Sequence, residues 1–186
     1  QFNYGSKLRN GDGVEKNIEE SLKYLKMAAD QEFPFAIITL ASMYALGECE
    51  NVNKEEAFKY TKMAAECGHV PSICDYGIML RDGYYADADE NLASECFLIA
   101  SNKGSSKGMF LYGEMLEKRG SQKDIKEAAM FYKMSADNGN KEAMIKYSNM
   151  LKTGKGVEKN EEECKKYEEM AAQERDPQVG IECLIC

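Results

Sequence analysis

One phrase recurs along the chain: SLKYLKMAADQEF at 21–33, AFKYTKMAAECGH at 57–69, AAMFYKMSADNGN at 128–140 and CKKYEEMAAQERD at 164–176. Aligned on the residue before a small pair, Met27, Met63, Ile99, Met134 and Met170 return every 35 or 36 residues. A fixed period of this size marks stacked supersecondary units, none of which can bury its apolar face alone. The chain must therefore fold as an array, and every other feature is read against that period.

A second register precedes the first. Tyr4-Gly5, Leu40-Ala41, Tyr76-Gly77, Tyr112-Gly113 and Tyr147-Ser148 each place a large residue before a small one. Four residues after each large one stand Leu8, Tyr44, Leu80, Leu116 and Leu151, on the same face of a helix. This helix A is expected to stop at Gly11, Gly47, Gly83, Gly120 and Gly154, where glycine can take a left-handed conformation. Asn or Asp beside acidic residues then opens helix B. Helix B carries Leu22, Leu25 and Ala29 in the first copy, and Ala57, Tyr60 and Ala64 in the second, at the 3–4 spacing of an apolar stripe. Small pairs such as Ala28-Ala29, Ala64-Ala65 and Ser135-Ala136 let the next helix A come close. The recurring Met column is read as core filler, and the runs Lys54-Glu55-Glu56 and Glu161-Glu162-Glu163 as solvated faces.

These features resemble a known family. AIITLASMYALGECENVNKEEAFKYTKMAAECGH and AMIKYSNMLKTGKGVEKNEEECKKYEEMAA are similar to Sel-1-like repeats, through Ala36, Leu40, Ala41, Tyr44, Gly47, Ala57, Tyr60, Ala64, Ala65 and Gly68 and the turns Gly11–Val14 and Gly154–Val157. The resemblance implies a tetratricopeptide-like, all-α, right-handed α-solenoid of about five stacked helix-turn-helix repeats. A single domain is expected, with repeats near 1–35, 36–71, 72–107, 108–142 and 143–178 and a partial sixth repeat or cap at 179–186. Copy three departs most, because DGYYADADENLASECF lacks the second turn glycine, and copy four has the shorter RGSQKD turn.

Composition narrows the function. Lys+Arg 24 against Asp+Glu 32 gives −8, a field that repels phosphate backbones, so no nucleic-acid partner is expected. No apolar run is long enough for a membrane span. Seven irregularly spaced cysteines and no Asn-x-Ser/Thr sequon point to a reducing compartment, and a cytoplasmic location is expected. In cysteine-rich relatives a disulfide joins helix B to the next helix A, but here Ala65 holds the position of the first cysteine, and Cys67 and Cys74 are not expected to pair. Cys183-Leu184-Ile185-Cys186 has the form of a prenylation box, although the register makes Cys183 a packing residue.

Motifs that suggest chemistry have structural readings. Gly11-Asp12-Gly13 and Gly154-Lys155-Gly156 follow helices, not strands, and lack the Lys-Ser/Thr ending of a phosphate loop. Cys67-Gly68-His69 with Cys74 is where cysteine meets the single histidine, and a cysteine-dependent hydrolase or metal site there is the alternative to a non-enzymatic role. No cofactor is expected. The resemblance implies a scaffold or adaptor, in signalling or protein quality control, that holds a protein or peptide ligand in a concave groove lined by helix A. The partner-binding residues it selects are Phe35, Ile38, Cys74, Ile78, Arg81, Phe110, Glu114, Ile145, Asn149 and Lys152. A structural segment that self-associates through its repeat ends is the other alternative.

Overall fold

A left-handed glycine closes one helix, and a polar side chain opens the next. The structure, a computed structural model, describes residues 1–49 and 53–173. Ten helices lie among the described residues: α1 (Phe2–Asn10), α2 (Ile18–Ala29), α3 (Pro34–Ala45), α4 (Lys54–Glu66), α5 (Val70–Asp82), α6 (Glu90–Asn102), α7 (Ser106–Arg119), α8 (Gln122–Asp137), α9 (Lys141–Thr153) and α10 (Glu161–Ala172). The five glycines expected to end helix A all have φ between 66° and 81°. Asn17, Asn53, Asp89, Ser121 and Asn160 each accept a backbone N–H from the first turn of the following helix. Losing such a cap costs about 1 kcal/mol.

The turn of copy three keeps its shape without its second glycine. Tyr85 takes φ 71°, beside 72° and 74° for Gly13 and Gly156 at the same register. The same backbone bond closes the long turns, from Asn17, Asp89 and Asn160 N–H to the carbonyls of Leu8, Leu80 and Leu151.

The chain falls into two compact units, Gln1–Gly108 and Met109–Cys186. In the first, α1 packs on α2, α3 on α4 and α5 on α6, while α2 meets α3 and α4 meets α5. One core cluster runs from Leu25 and the Ala28-Ala29 pair through Ile37, Leu40 and Tyr44 to Tyr60 and Ala64. In the second unit, α9 packs on both α8 and α10.

Within a repeat, large faces small. A Cβ on Gly5 would meet Leu25, one on Gly77 would meet Phe97, and one on Gly113 would meet Tyr132. Those three large side chains are fully buried. Each stabilises the fold by about 1.5–3 kcal/mol relative to exposure.

Two expectations are corrected. Of the Met column read as core filler, Met63 does pack half-buried against the core, but Met27 and Met134 are 41% and 44% exposed, as Ile99 is at 48% in the same column. The column lies two residues after the Leu25/Phe97/Tyr132 column, about 200° around the helix and therefore on the other side. Nor are the acidic runs wholly solvated. Lys26 Nζ and the Tyr44 hydroxyl each donate to Glu56 at 2.7 Å, and Lys133 donates to Glu163. These bonds hold the Glu56 carboxyl below its usual range, chiefly through Lys26. Both lysines reach from one helix B to the start of the next. The expected cap at 179–186 and the Cys183–Cys186 box lie outside the described residues. Among the described residues no helix is long and apolar enough to cross a membrane.

Candidate partner-binding groove

In the second unit, Gly113 lets α7 lie against the buried ring of Tyr132, which aims its hydroxyl at the last turns of α7. There it donates to Glu117 Oε2 at 2.8 Å. Lys146 Nζ, from the middle of α9, donates to the same oxygen at 3.0 Å. Lys155 Nζ, from the turn after α9, donates to Oε1 at 2.7 Å. Burial alone would raise the Glu117 carboxyl, but the bonds from Lys155, Lys146 and Tyr132 outweigh it and hold it at about 2. Burial and the bond to Glu117 push the Tyr132 hydroxyl upward. Glu117 is thus a post, ionised at neutral pH, that fixes three side chains from different elements.

Above this post runs a groove of about 530 Å³. Phe110, Ile145 and Met150 supply its apolar lining, Asn149 and Thr153 its neutral polar rim, and Glu117, Glu142, Lys146 and Lys155 its charges. Phe110 is half-buried, its ring 5.8 Å from that of Tyr132, whereas Ile145 is 47% exposed.

The same bridge occurs in the first unit with its signs exchanged. Arg9 stands one residue after Leu8, as Glu117 stands one after Leu116, and Glu48 follows Gly47 as Lys155 follows Gly154. Arg9 and Glu48 form a two-pronged pair at 2.6 and 2.7 Å. In both places the end of one helix A is tied to the turn of the following repeat. This exchange of charge at equivalent positions is visible in the sequence once the repeats are aligned. It was the signal that could have identified Lys155, and Lys146 has no such signal.

The residues selected from sequence are placed unevenly. Phe110, Ile145 and Asn149 meet in the groove, while Glu114 on α7 and Lys152 on α9 stand outside its lining. In the first unit Ile38 packs half-buried against the core, Ile78 is half-buried, and Arg81 Nε bonds Asp82 at 2.7 Å. Cys74 presents no surface to a partner, a correction to its selection. It is fully buried, with Sγ 3.6 Å from Ser105 Oγ in the turn that folds over it.

Phe35 is 63% exposed and belongs to a small aromatic group. Its ring lies 5.7 Å from Phe33 and 6.2 Å from Phe2, and Phe33 lies 5.1 Å from Phe2. Phe33 occupies the N-cap of α3 and makes no side-chain cap bond, where Asn140 caps α9.

The Cys67/His69 neighbourhood has a structural use for its imidazole. His69 stands at the N-cap of α5, and Nδ1 lies 2.8 Å from Ser72 Oγ. Cys49, Cys67, Cys74, Cys96 and Cys164 are free thiols. Among the described residues, no three His, Cys, Asp or Glu side chains gather as a metal site would require.

Five successive matches to the Sel1 repeat model cover 1–33, 34–69, 70–105, 106–140 and 141–184. The chain belongs to the Sel1 repeat family. A Sel1 repeat protein from Oxalobacter formigenes, known from its crystal structure, is 30% identical with a TM-score of 0.75, over 91% of this chain and 70% of that one. The crystal structure of c5321, a protective antigen of uropathogenic Escherichia coli strains displaying an SLR fold, superposes with a TM-score of 0.79 at 20% identity. That match covers 92% of this Sel1 chain and 37% of c5321. Among curated proteins none matches the sequence. The fold is thus the all-α repeat solenoid of Sel1 proteins, which are typically scaffolds for protein–protein interaction.

Proposed function

We propose that this Sel1 repeat chain is a non-enzymatic adaptor that receives a segment of another protein in the groove between α7 and α9. The observation that carries the reading is Ile145, a large apolar side chain left 47% exposed in the same groove as Phe110, whose lining also includes Glu117, Lys146 and Lys155. Apolar anchors framed by fixed polar groups suit recognition of a peptide or helix. Assembly of a signalling or quality-control complex is the role this adaptor serves. Affinity capture from source-cell lysate tests it, with Ile145→Glu as the paired control. Wild type should retain a protein that the variant loses, with helical content unchanged; equal capture by both would move the site elsewhere.

A second reading rests on the Phe2/Phe33/Phe35 group, which supports self-association. Phe33 and Phe35 are exposed, while Phe2 packs half-buried against the core, and equivalent repeats place Pro71, Lys107 and Glu142 at the position of Phe35. Sedimentation across a concentration series should show dimers that Phe35→Ser abolishes. A monomer at all concentrations would sink this reading.

A further inference from the structure

The groove carries more positive charge than its structural bridge uses. In the first unit the bridge is neutral, with one guanidinium on one carboxylate, Arg9 on Glu48. In the second, a single carboxylate holds two ammonium groups, Lys146 and Lys155. The bridge needs Lys155 alone, because Lys155 and Glu117 occupy the equivalent positions. Lys146 is surplus to it, and at the same position of the other repeats stand Asn3, Thr39, Asp75 and Leu111. A chain of net charge −8 thus places a local positive excess at one end of an apolar groove. Each ammonium has three donors, and each spends one on Glu117, so both can donate to an incoming oxygen without releasing it.

The opposite end differs in sign. Glu142 lines the groove at the first turn of α9, while Lys155 lies beyond the last. On α7, Phe110 and Glu117 are separated by about two helical turns, roughly 10 Å. An extended peptide covers that distance in about three residues.

Resting on the adaptor reading, we infer that the groove recognises an acidic peptide segment. An apolar side chain of that segment lies against Phe110 and Ile145. A carboxylate about three residues away lies on Lys146 and Lys155. The carboxylate supplies the selectivity, since the apolar contact alone accepts many side chains. Because two cations are engaged, binding weakens as salt is raised.

A random dodecapeptide phage library panned on the full chain tests this directly. Enriched peptides should share an apolar residue and an Asp or Glu two to four positions apart. Replacing that acid by its amide in a fluorescein-labelled copy should weaken binding about tenfold or more, the worth of a charge-assisted hydrogen bond. Lys146→Gln should weaken the acidic peptide and leave its amide copy unchanged, with circular dichroism confirming an intact helical fold. Enriched peptides lost with Ile145→Glu but without a required acid would overturn this inference and leave the adaptor groove standing. Peptides indifferent to Ile145→Glu, or no enrichment at all, would overturn both.

Discussion

A methyl group on Gly77 would sit 2.6 Å from Cε1 of Phe97, closer than real Cβ contacts come. The two residues are one of the pairs through which helix A and helix B of a repeat close on each other. Alanine is the better helix former by about 1 kcal/mol, so propensity alone favours Gly77→Ala. Overpacking against a rigid, fully buried ring outweighs it, and a net loss of about 1–2 kcal/mol is expected in urea unfolding. In a Phe97→Leu background the same substitution should cost far less, giving a clear coupling in the double-mutant cycle. Additive losses would show that the ring does not set the helix separation.

Glu32 holds φ 58° where the equivalent turns carry Gly68, Gly104 and Gly139 at 82° to 86°. A side chain in the left-handed region is strained by about 1–2 kcal/mol, and glycine's greater freedom when unfolded returns part of that. Glu32→Gly should therefore raise stability by about 0.5–1 kcal/mol. Thermal unfolding of the two proteins at one pH measures it, and a lower midpoint for the variant would contradict the strain.

Asn at position 33 would supply the cap that α3 lacks, about 1 kcal/mol, while removing ring contacts to Phe2 and Phe35 of similar worth. Phe33→Asn should leave unfolding free energy within about 1 kcal/mol of wild type. If the aromatic group mediates self-association, the same variant should abolish dimers in sedimentation, separating the two roles of one residue.

Acid should weaken the second unit through Glu117. Its folded carboxyl titrates at about 2, below the ordinary 4.5, so the unfolded chain takes up the proton first. The stability from its ionised form is complete above the ordinary value and is lost as pH falls from about 4.5 through about 2. Glu117→Gln removes that linkage. The stability gap between wild type and variant should be widest at neutral pH and shrink as pH falls through that window. A gap independent of pH would place the stabilising interactions elsewhere.

Much of this architecture is legible in the sequence alone. The glycines at 11, 47, 83, 120 and 154 marked helix ends, and Asn17, Asn53, Asp89 and Asn160 marked helix starts, because caps and left-handed turns are properties of a few adjacent residues. Burial was harder to read. In a repeat protein every column recurs, so the period of Met27, Ile99 and Met134 carried no information about which side of the helix they occupy. The fully buried Leu25, Phe97 and Tyr132 share that period two positions earlier.

The sequence by itself determined the helix pairs, their turns and the Sel1 register, since these follow from local conformational preference and from small residues that admit a neighbouring helix. Tertiary structure alone decided that the turn at Ser105 covers Cys74, that Ile145 stays exposed, and that Lys146, Lys155 and Tyr132 converge on Glu117. Those outcomes depend on side chains from separate elements, 15 to 38 residues apart, reaching the same few ångströms of space. No local preference encodes such a meeting; only the packed helices create it.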